Sequence, residues 1–447
     1  MDDIQHSEYL RVNKYLLFAV SAWPYQTIFQ RSLVGIILIP IVTAQLILQF
    51  GGMITAIIAD DIESLLESFA PLAISLMCFV KYINFLYNFN QMKRLMDIMQ
   101  EDWKFHAKLR NEYEILCEHY AIARKITTNF VAFLLGLVTP FGAMPLLLNI
   151  GDALGLCNIS DDKPLAFRVE YFVDVDKYYY FLLVHSYIGT LGYTVIVLAI
   201  NSIIIVYVLH ECGLCEILRV KLENFVETDA MDIELHPNKF KKDKWYQNAR
   251  DCVLLHKRII EFAKILEDAN TTSYLLQLGF NMICMSFTQF QAIINIQDTP
   301  KVLRYVSITI CLLCDLLFLS WTGQQLSNST ERIFEFTTNG RWYQSSINCR
   351  KLLTIMLSKS IAPLTLTACK LYTLNLESFT TIYISTFRNV ISRPFSYYYL
   401  FTITLRLPKH HSLTQWYCAP FNNSSITNYR RERGEGGGGS RGHDEEN

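Results

Sequence analysis

Charge is what this sequence lacks over long distances. No Lys, Arg, Asp or Glu occurs in residues 32–59, 126–151, 178–209 or 270–297. Each interval exceeds the roughly 20 apolar residues that carry a helix across the hydrocarbon core of a bilayer. A soluble chain of 447 residues would instead spread its charges over two or three domains. Within lipid every backbone N–H and C=O needs an internal partner, so these stretches are expected as transmembrane helices. Catalytic signatures are missing too. His210-Glu211 has no second His at zincin spacing, and neither a GxSxG elbow nor a phosphate-cradling glycine loop occurs. An enzyme is therefore not expected, nor a cofactor. A net charge of -1 supplies no basic face for nucleic acid. The twelve Cys are scattered, and neither Cys212/Cys215 nor Cys311/Cys314 has the second ligand pair a metal site needs. A secretory signal peptide is not expected, because residues 1–31 are polar and charged and the first apolar run is too long for a removable segment.

Three further apolar segments each carry charge: 65–87 holds Glu67 and Lys81, 302–327 holds Arg304 and Asp315, and 361–387 holds Glu377. One intramembrane charge costs about 2.5–3.5 kcal/mol on an insertion scale, which a long apolar helix tolerates. The expectation is an all-α integral membrane protein with seven spans, at about 32–59, 65–87, 126–150, 178–209, 272–297, 302–327 and 361–387. Among the segments that join or precede the seven spans, basic residues then number 25 on the side of the N-terminus and 5 on the other, including Arg304. By the positive-inside rule the N-terminal segment 1–31 is cytoplasmic and the C-terminus extracellular. Charge-punctuated apolar positions in 88–125 and 210–271 predict helical cytoplasmic extensions. The basic cluster at 239–244 would lie near anionic membrane lipid. A glycosylation sequon at Asn158 falls on a predicted outer loop, although the same pattern at Asn270 and Asn328 falls on the inner side.

Ionisable residues inside a span mark function by default. Glu67 and Arg304, near the outer ends, are expected to snorkel, whereas Asp315 and Glu377 lie deeper. Aromatic and polar residues gather in the outward halves of several spans: Phe141, Met144, Tyr180, Phe181, His185, Ser186, Phe290 and Tyr305. They read either as an interface belt with core packing or as the lining of an apolar ligand pocket. These eight are the candidate ligand-binding residues.

The last third of the chain carries a recognisable pattern. Asp298-Thr299-Pro300 precedes the sixth span, which ends in Trp321-Thr322-Gly323-Gln324-Gln325-Leu326. Trp342-Tyr343, Arg350-Lys351-Leu352-Leu353 and Pro363-Leu364-Thr365-Leu366-Thr367-Ala368-Cys369-Lys370-Leu371-Tyr372 follow, then Leu374, Leu376 and Phe379. This resembles the insect odorant receptor family, and His210, Cys212 and Gly213 resemble a shorter pattern of the same family. The resemblance implies a receptor for small volatile molecules in the plasma membrane of olfactory sensory neurons. It also implies a heterotetrameric ligand-gated cation channel assembled with an odorant coreceptor. Odorant would bind between spans two, three, four and six in the outer half. Leu374, Glu377 and Phe379 would approach the pore and gate, and Trp342, Pro363, Thr367, Lys370 and Tyr372 would anchor the subunits.

After Phe379 the sequence departs from the family, which usually ends within a short Lys-containing stretch. Arg388, Arg393 and Pro394 interrupt the helix, and 395–401 and 434–447 add an aromatic run and a glycine-rich polar end. Residues 388–447 are thus expected as an atypical tail, disordered or from a mistaken gene structure, outside a receptor domain at 32–387. Two other receptor classes are the alternatives. A gustatory-type receptor shares the inverted topology but differs from 363–372, and a G-protein-coupled receptor would carry DRY-like and NPxxY motifs that do not occur.

Overall fold

The computed structural model describes residues 7–154, 171, 173, 175–230, 240–340 and 342–392. The chain clusters into two units, 1–397 and 398–447, and all described residues belong to the first. Asn158 and almost all of the tail lie outside the described residues.

Ten helices organise the described residues. A short α1 (Arg11–Ala19) precedes α2 (Ile28–Ile58), α3 (Ile62–Tyr87), α4 (Phe89–His106) and α5 (Arg110–Ala153). Then come α6 (Val175–Ala230), α7 (Phe240–Ile294), α8 (Thr299–Asn339), α9 (Ile347–Ser360) and α10 (Leu376–Ser392). A hairpin of β1 (Thr367–Ala368) and β2 (Tyr372–Thr373) separates the last two. The helix starts are written in the sequence. Thr27 and Gln30 form a reciprocal capping box on α2, Asp61 caps α3 through Ser64 N, and Asp298 caps α8 through Lys301 N at 3.2 Å.

Six of these helices cover the first six predicted spans, and α10 covers the last part of the seventh. Five are long and apolar enough to cross a bilayer by length and composition: α2, α3, and the stretches 110–140, 177–223 and 301–339. The outer part of α7 falls short because Gln277, Asn281, Gln289 and Gln291 are buried within it, and α10 because it has 17 residues. Large apolar side chains on α2 face outward, with Ile36 71%, Ile47 66% and Ile58 79% exposed. In water such a face would be an aggregation patch; against lipid it is the expected outer surface.

α6 is the axis of the bundle. Its buried run covers almost every residue from Leu198 to Cys215, and it packs against α1, α2, α3, α5, α7 and α8. At 1.5 Å per residue its 56 residues reach about 84 Å, far beyond a hydrocarbon core of about 30 Å. α5, α7 and α8 also outrun the membrane, so residues 110–125, 210–230 and 240–271 of the inner segments continue the spans as helix. There His210, fully buried, takes Tyr120 Oη on Nδ1 at 2.9 Å and Asp102 Oδ2 on Nε2 at 3.2 Å. Arg258 of α7 pairs with the other Asp102 oxygen at 2.6 Å. Within the N-terminal segment, α1 and its flanks bury Leu10, Leu17, Val20 and Trp23.

The seventh span begins later than expected. Residues 361–375 are not helix: after α9 the chain forms the β-hairpin, and helix resumes at Leu376. Cys369 and Lys370 adopt φ of 51° and 59°, and Leu371 N donates to Ala368 O at 3.0 Å, closing a turn of the primed type that hairpins favour.

Candidate ligand cavity and the helices that frame it

The lone intramembrane charges of the sequence turn out to be paired between α3 and α8. Lys81 Nζ meets Asp315 Oδ1 at 2.6 Å and donates to Asn201 Oδ1 at 3.2 Å, and Asn201 Nδ2 donates to the same Asp315 oxygen at 2.8 Å. Nearer the outside, Arg304 Nη2 meets Glu67 at 3.2 Å and Lys301 Nζ meets Glu63 at 2.7 Å. The expected snorkelling of isolated Glu67 and Arg304 is therefore replaced by an ion pair, which lowers the cost of carrying charge at that depth.

Between these two levels lies a cavity of about 160 Å3. Its wall comes from α3 (Ile74, Cys78), α5 (Leu134, Val138), α6 (Thr194, Val197) and α8 (Ile308, Asp315), with Gln49 from α2. Those first four helices correspond to spans two, three, four and six. A cavity of about 150 Å3 lined by Leu, Ile and Phe holds benzene, so this one suits a single ring or a compact aliphatic molecule. The wall is chiefly apolar. Most polar groups on it are committed elsewhere: Thr190 and Thr194 donate to Ser186 O and Thr190 O, both at 2.9 Å, and Tyr193 donates to Val42 O at 2.8 Å.

None of the eight candidate ligand residues lines this cavity. Tyr180 and Phe181 are 68% and 72% exposed on the outer end of α6. His185 stands 3.4 Å from the Tyr171 hydroxyl, and Ser186 is buried. Phe290 and Tyr305 are buried, Tyr305 beneath the Arg304 guanidinium, 5.2 Å from its ring. Phe141 and Met144 sit in α5, their side chains outside the described set. Aromatic residues such as Tyr180 and Phe181 concentrate where helices leave the membrane. The cavity lies about one turn deeper, among small hydroxyl and aliphatic residues at helical spacing. That pattern looks like ordinary core, and only Asp315 stood out.

The residues expected at the anchor and gate follow one another along the chain from Trp342 to Phe379, and several are tied to α7 or α8 by hydrogen bonds. Thr271 of α7 donates to Thr367 O at 2.9 Å and accepts from Cys369 N at 2.7 Å, and Thr367 Oγ1 donates to Glu267 at 2.6 Å. The Tyr372 hydroxyl donates to Ser378 O at 2.6 Å, and Leu364 N donates to Thr330 at 3.0 Å just after Pro363. Trp342 opens the single turn before α9, and its carbonyl accepts from Ser345 Oγ at 2.6 Å, while Lys370 is exposed at the hairpin tip. Leu374 is buried against Gly323 of α8, where an added Cβ would stand 2.1 Å from the Leu374 carbonyl oxygen. On α10, Glu377, Thr380, Thr381, Ser385 and Arg388 are exposed at helical spacing, whereas Ile382 and Thr386 are buried and Phe379 is half-buried.

Outside the membrane, Glu112 receives His106 Nδ1 at 2.5 Å and Lys221 Nζ at 2.8 Å. Burial raises the Glu112 pKa, but the His106 and Lys221 bonds outweigh it and the net shift is downward. His256, packed against the Ser360 hydroxyl at 3.3 Å, is pushed down to about 4 by burial.

A search of curated proteins found no match. Among solved structures the chain is similar to the insect olfactory receptor OR5 from Machilis hrabei in complex with eugenol. The TM-score is 0.64 at 13% identity, covering 86% of this chain and 99% of that chain. A second structure of the Machilis hrabei receptor OR5 gives a TM-score of 0.62 at 13% identity, covering 86% of this chain and 97% of that chain. At that identity the likeness establishes the fold, a seven-helix membrane bundle. The sequence profile described as 7tm Odorant receptor matches residues 61–387. The chain belongs to the 7tm odorant receptor family.

Proposed function

We propose that the chain is the ligand-binding subunit of an odorant-gated, non-selective cation channel assembled with an odorant coreceptor. Its place is the plasma membrane of olfactory sensory neurons. The observation that carries this reading is the apolar cavity of about 160 Å3 between α3, α5, α6 and α8. Its size matches a volatile molecule, and the solved Machilis hrabei receptor with eugenol provides a precedent for ligand binding on this fold. The exposed polar residues of α10 support a second role. Glu377, Thr380, Thr381 and Ser385 stand exposed beside Leu376, Ile384 and Phe387, and those four polar side chains suit a water-filled path better than lipid. Leu374, Glu377 and Phe379 are then gate-region residues, and Trp342, Pro363, Thr367, Lys370 and Tyr372 belong to the subunit anchor. Odorant opens the pore only through its higher affinity for the open arrangement.

The test is current from cells expressing the chain with the coreceptor against a broad odorant panel. Val138→Trp, which fills the cavity, should abolish responses while surface expression persists. Full responses in that variant would remove the cavity from the mechanism. Residues 388–447 have no part in this reading, and sequencing the transcript across codons 380–400 tests whether they are encoded by the spliced message.

A further inference from the structure

Asp315 gives the cavity a feature that an apolar pocket does not require. The residue is 8% exposed and forms part of the cavity wall. Both of its partners, Lys81 Nζ and Asn201 Nδ2, converge on Oδ1. Oδ2 accepts no hydrogen bond from any described residue, while 11% of the side-chain surface stays open. An ionised carboxylate oxygen is an acceptor only, and leaving it without a donor in a low-dielectric interior is costly. Four other hydroxyls of the wall do not reverse this bias. Thr190, Thr194 and Ser307 commit their hydrogens to carbonyls four residues back in their own helices, and Tyr193 commits its hydrogen to Val42 O. These four face the cavity, where they face it, as acceptors.

We infer that this cavity selects small neutral molecules carrying one hydroxyl donor, phenols and compact alcohols, with Asp315 Oδ2 as the specificity-determining acceptor. The inference rests on the reading of the cavity as the odorant site. Neutrality follows from Lys81, which already balances the Asp315 charge, so that an ammonium ligand would add an uncompensated charge within the membrane. A water resting on Oδ2 does not weaken the selection. A ligand hydroxyl that displaces it reproduces its hydrogen bond, and a methyl group at the same place does not. Size restricts the class to roughly one ring with a short substituent, by comparison with the ~150 Å3 that holds benzene.

The experiment compares hydroxyl and methyl isosteres on the full-length receptor, purified with its membrane environment intact. Para-alkyl phenols such as 4-ethylphenol are paired with the matching toluenes such as 4-ethyltoluene. Binding is read as the concentration giving half-maximal thermal stabilisation. Hydrogen bonds to charged groups predict a preference for the phenol of about tenfold to a hundredfold. Asp315→Asn should reduce that preference. Because this variant leaves Lys81 unpaired, the double variant Lys81→Met with Asp315→Leu is measured beside it; it removes the whole pair and should bring the ratio close to one. Equal binding of phenol and toluene to the wild type, with both lost in Val138→Trp, would overturn the donor selectivity and leave the cavity as the site. Binding of both that survives Val138→Trp, or binding of neither series, would overturn the cavity reading itself and the inference with it.

Discussion

Gly323 of α8 sits where the helix touches the chain just before α10, and replacing it with alanine is a sharp test of that contact. The added Cβ would lie 2.1 Å from the Leu374 carbonyl oxygen, 2.9 Å from its Cβ and 3.0 Å from its carbonyl carbon. Two of these three atoms are backbone, so no side-chain rotation relieves the overlap. The Leu374 segment would have to retreat by roughly an ångström, and overpacking of this kind typically costs about 1–3 kcal/mol. Leu374 N is itself held by Leu366 O at 2.9 Å, and Leu376 N by Gln324 at 3.3 Å, so the retreat would strain the hairpin and the start of α10 together. Helix propensity acts in the opposite direction, because Ala is favoured over Gly within a helix by about 1 kcal/mol. Two other glycines isolate that term. Gly136 of α5 and Gly279 of α7 have nothing within 4 Å of an added Cβ. Gly136→Ala and Gly279→Ala should therefore be neutral or slightly stabilising in a thermal unfolding assay of the purified receptor. Gly323→Ala should lower the transition temperature and reduce odorant-evoked current. If Gly323→Ala is as stable as the two control variants and conducts normally, the close approach of α8 to Leu374 is wrong.

Other expectations follow from the polar groups. Lys81→Met strands Asp315 without its cation and should destabilise by about 3–5 kcal/mol, with most of the loss restored by adding Asp315→Leu; thermal unfolding of the single and double variants reads the difference, and additive losses would contradict the pairing. His256 has its folded-state pKa pushed down from 6.5 to about 4. Its neutral form is favoured in the folded protein, so its contribution is complete above pH 6.5 and falls away between 6.5 and 4, by about 3 kcal/mol at most. Substitution by Leu should flatten that acid limb in unfolding measured against pH, and an unchanged acid limb would contradict burial of the neutral ring. Asn158→Gln should remove a glycan from the receptor made in insect cells, seen as a gain in gel mobility; no shift would count against an outer position for that loop.

Much of the membrane architecture was legible because lipid imposes a simple rule. The charge-free stretches coincide with α2 and with the membrane-crossing parts of α5, α6 and α7. The pairing of Lys81 with Asp315 was not legible, since the partners lie 234 residues apart and nothing local links them. The start of the last span was misplaced for a different reason. Residues 361–375 are apolar enough to count as membrane helix, yet 363–368 alternate, with Leu366 and Ala368 buried and Thr365 and Thr367 half-exposed. That period of two, following Pro363, was the available strand signal. The cavity escaped notice because Ile, Val, Leu and Thr at helical spacing are what any buried helix face shows. The exposed Tyr180 and Phe181 drew attention upward, to the membrane boundary.

α8 also has a mechanical meaning. It runs from Thr299 to Asn339 with Pro300 at its first turn, and neither Gly nor Pro follows until Gly323. α2 and α3 carry Pro40 and Pro71 in mid-helix, where a bend can take up displacement. α8 has no such joint between the cavity and the Leu374 contact, which Asp315 and Gly323 place about 12 Å apart along its axis. It therefore acts as a stiff rod with the apolar cavity beside its upper part and the root of α10 against its lower part. A molecule that pushes α8 sideways at Asp315 would have its displacement delivered to Leu374 without loss along the way.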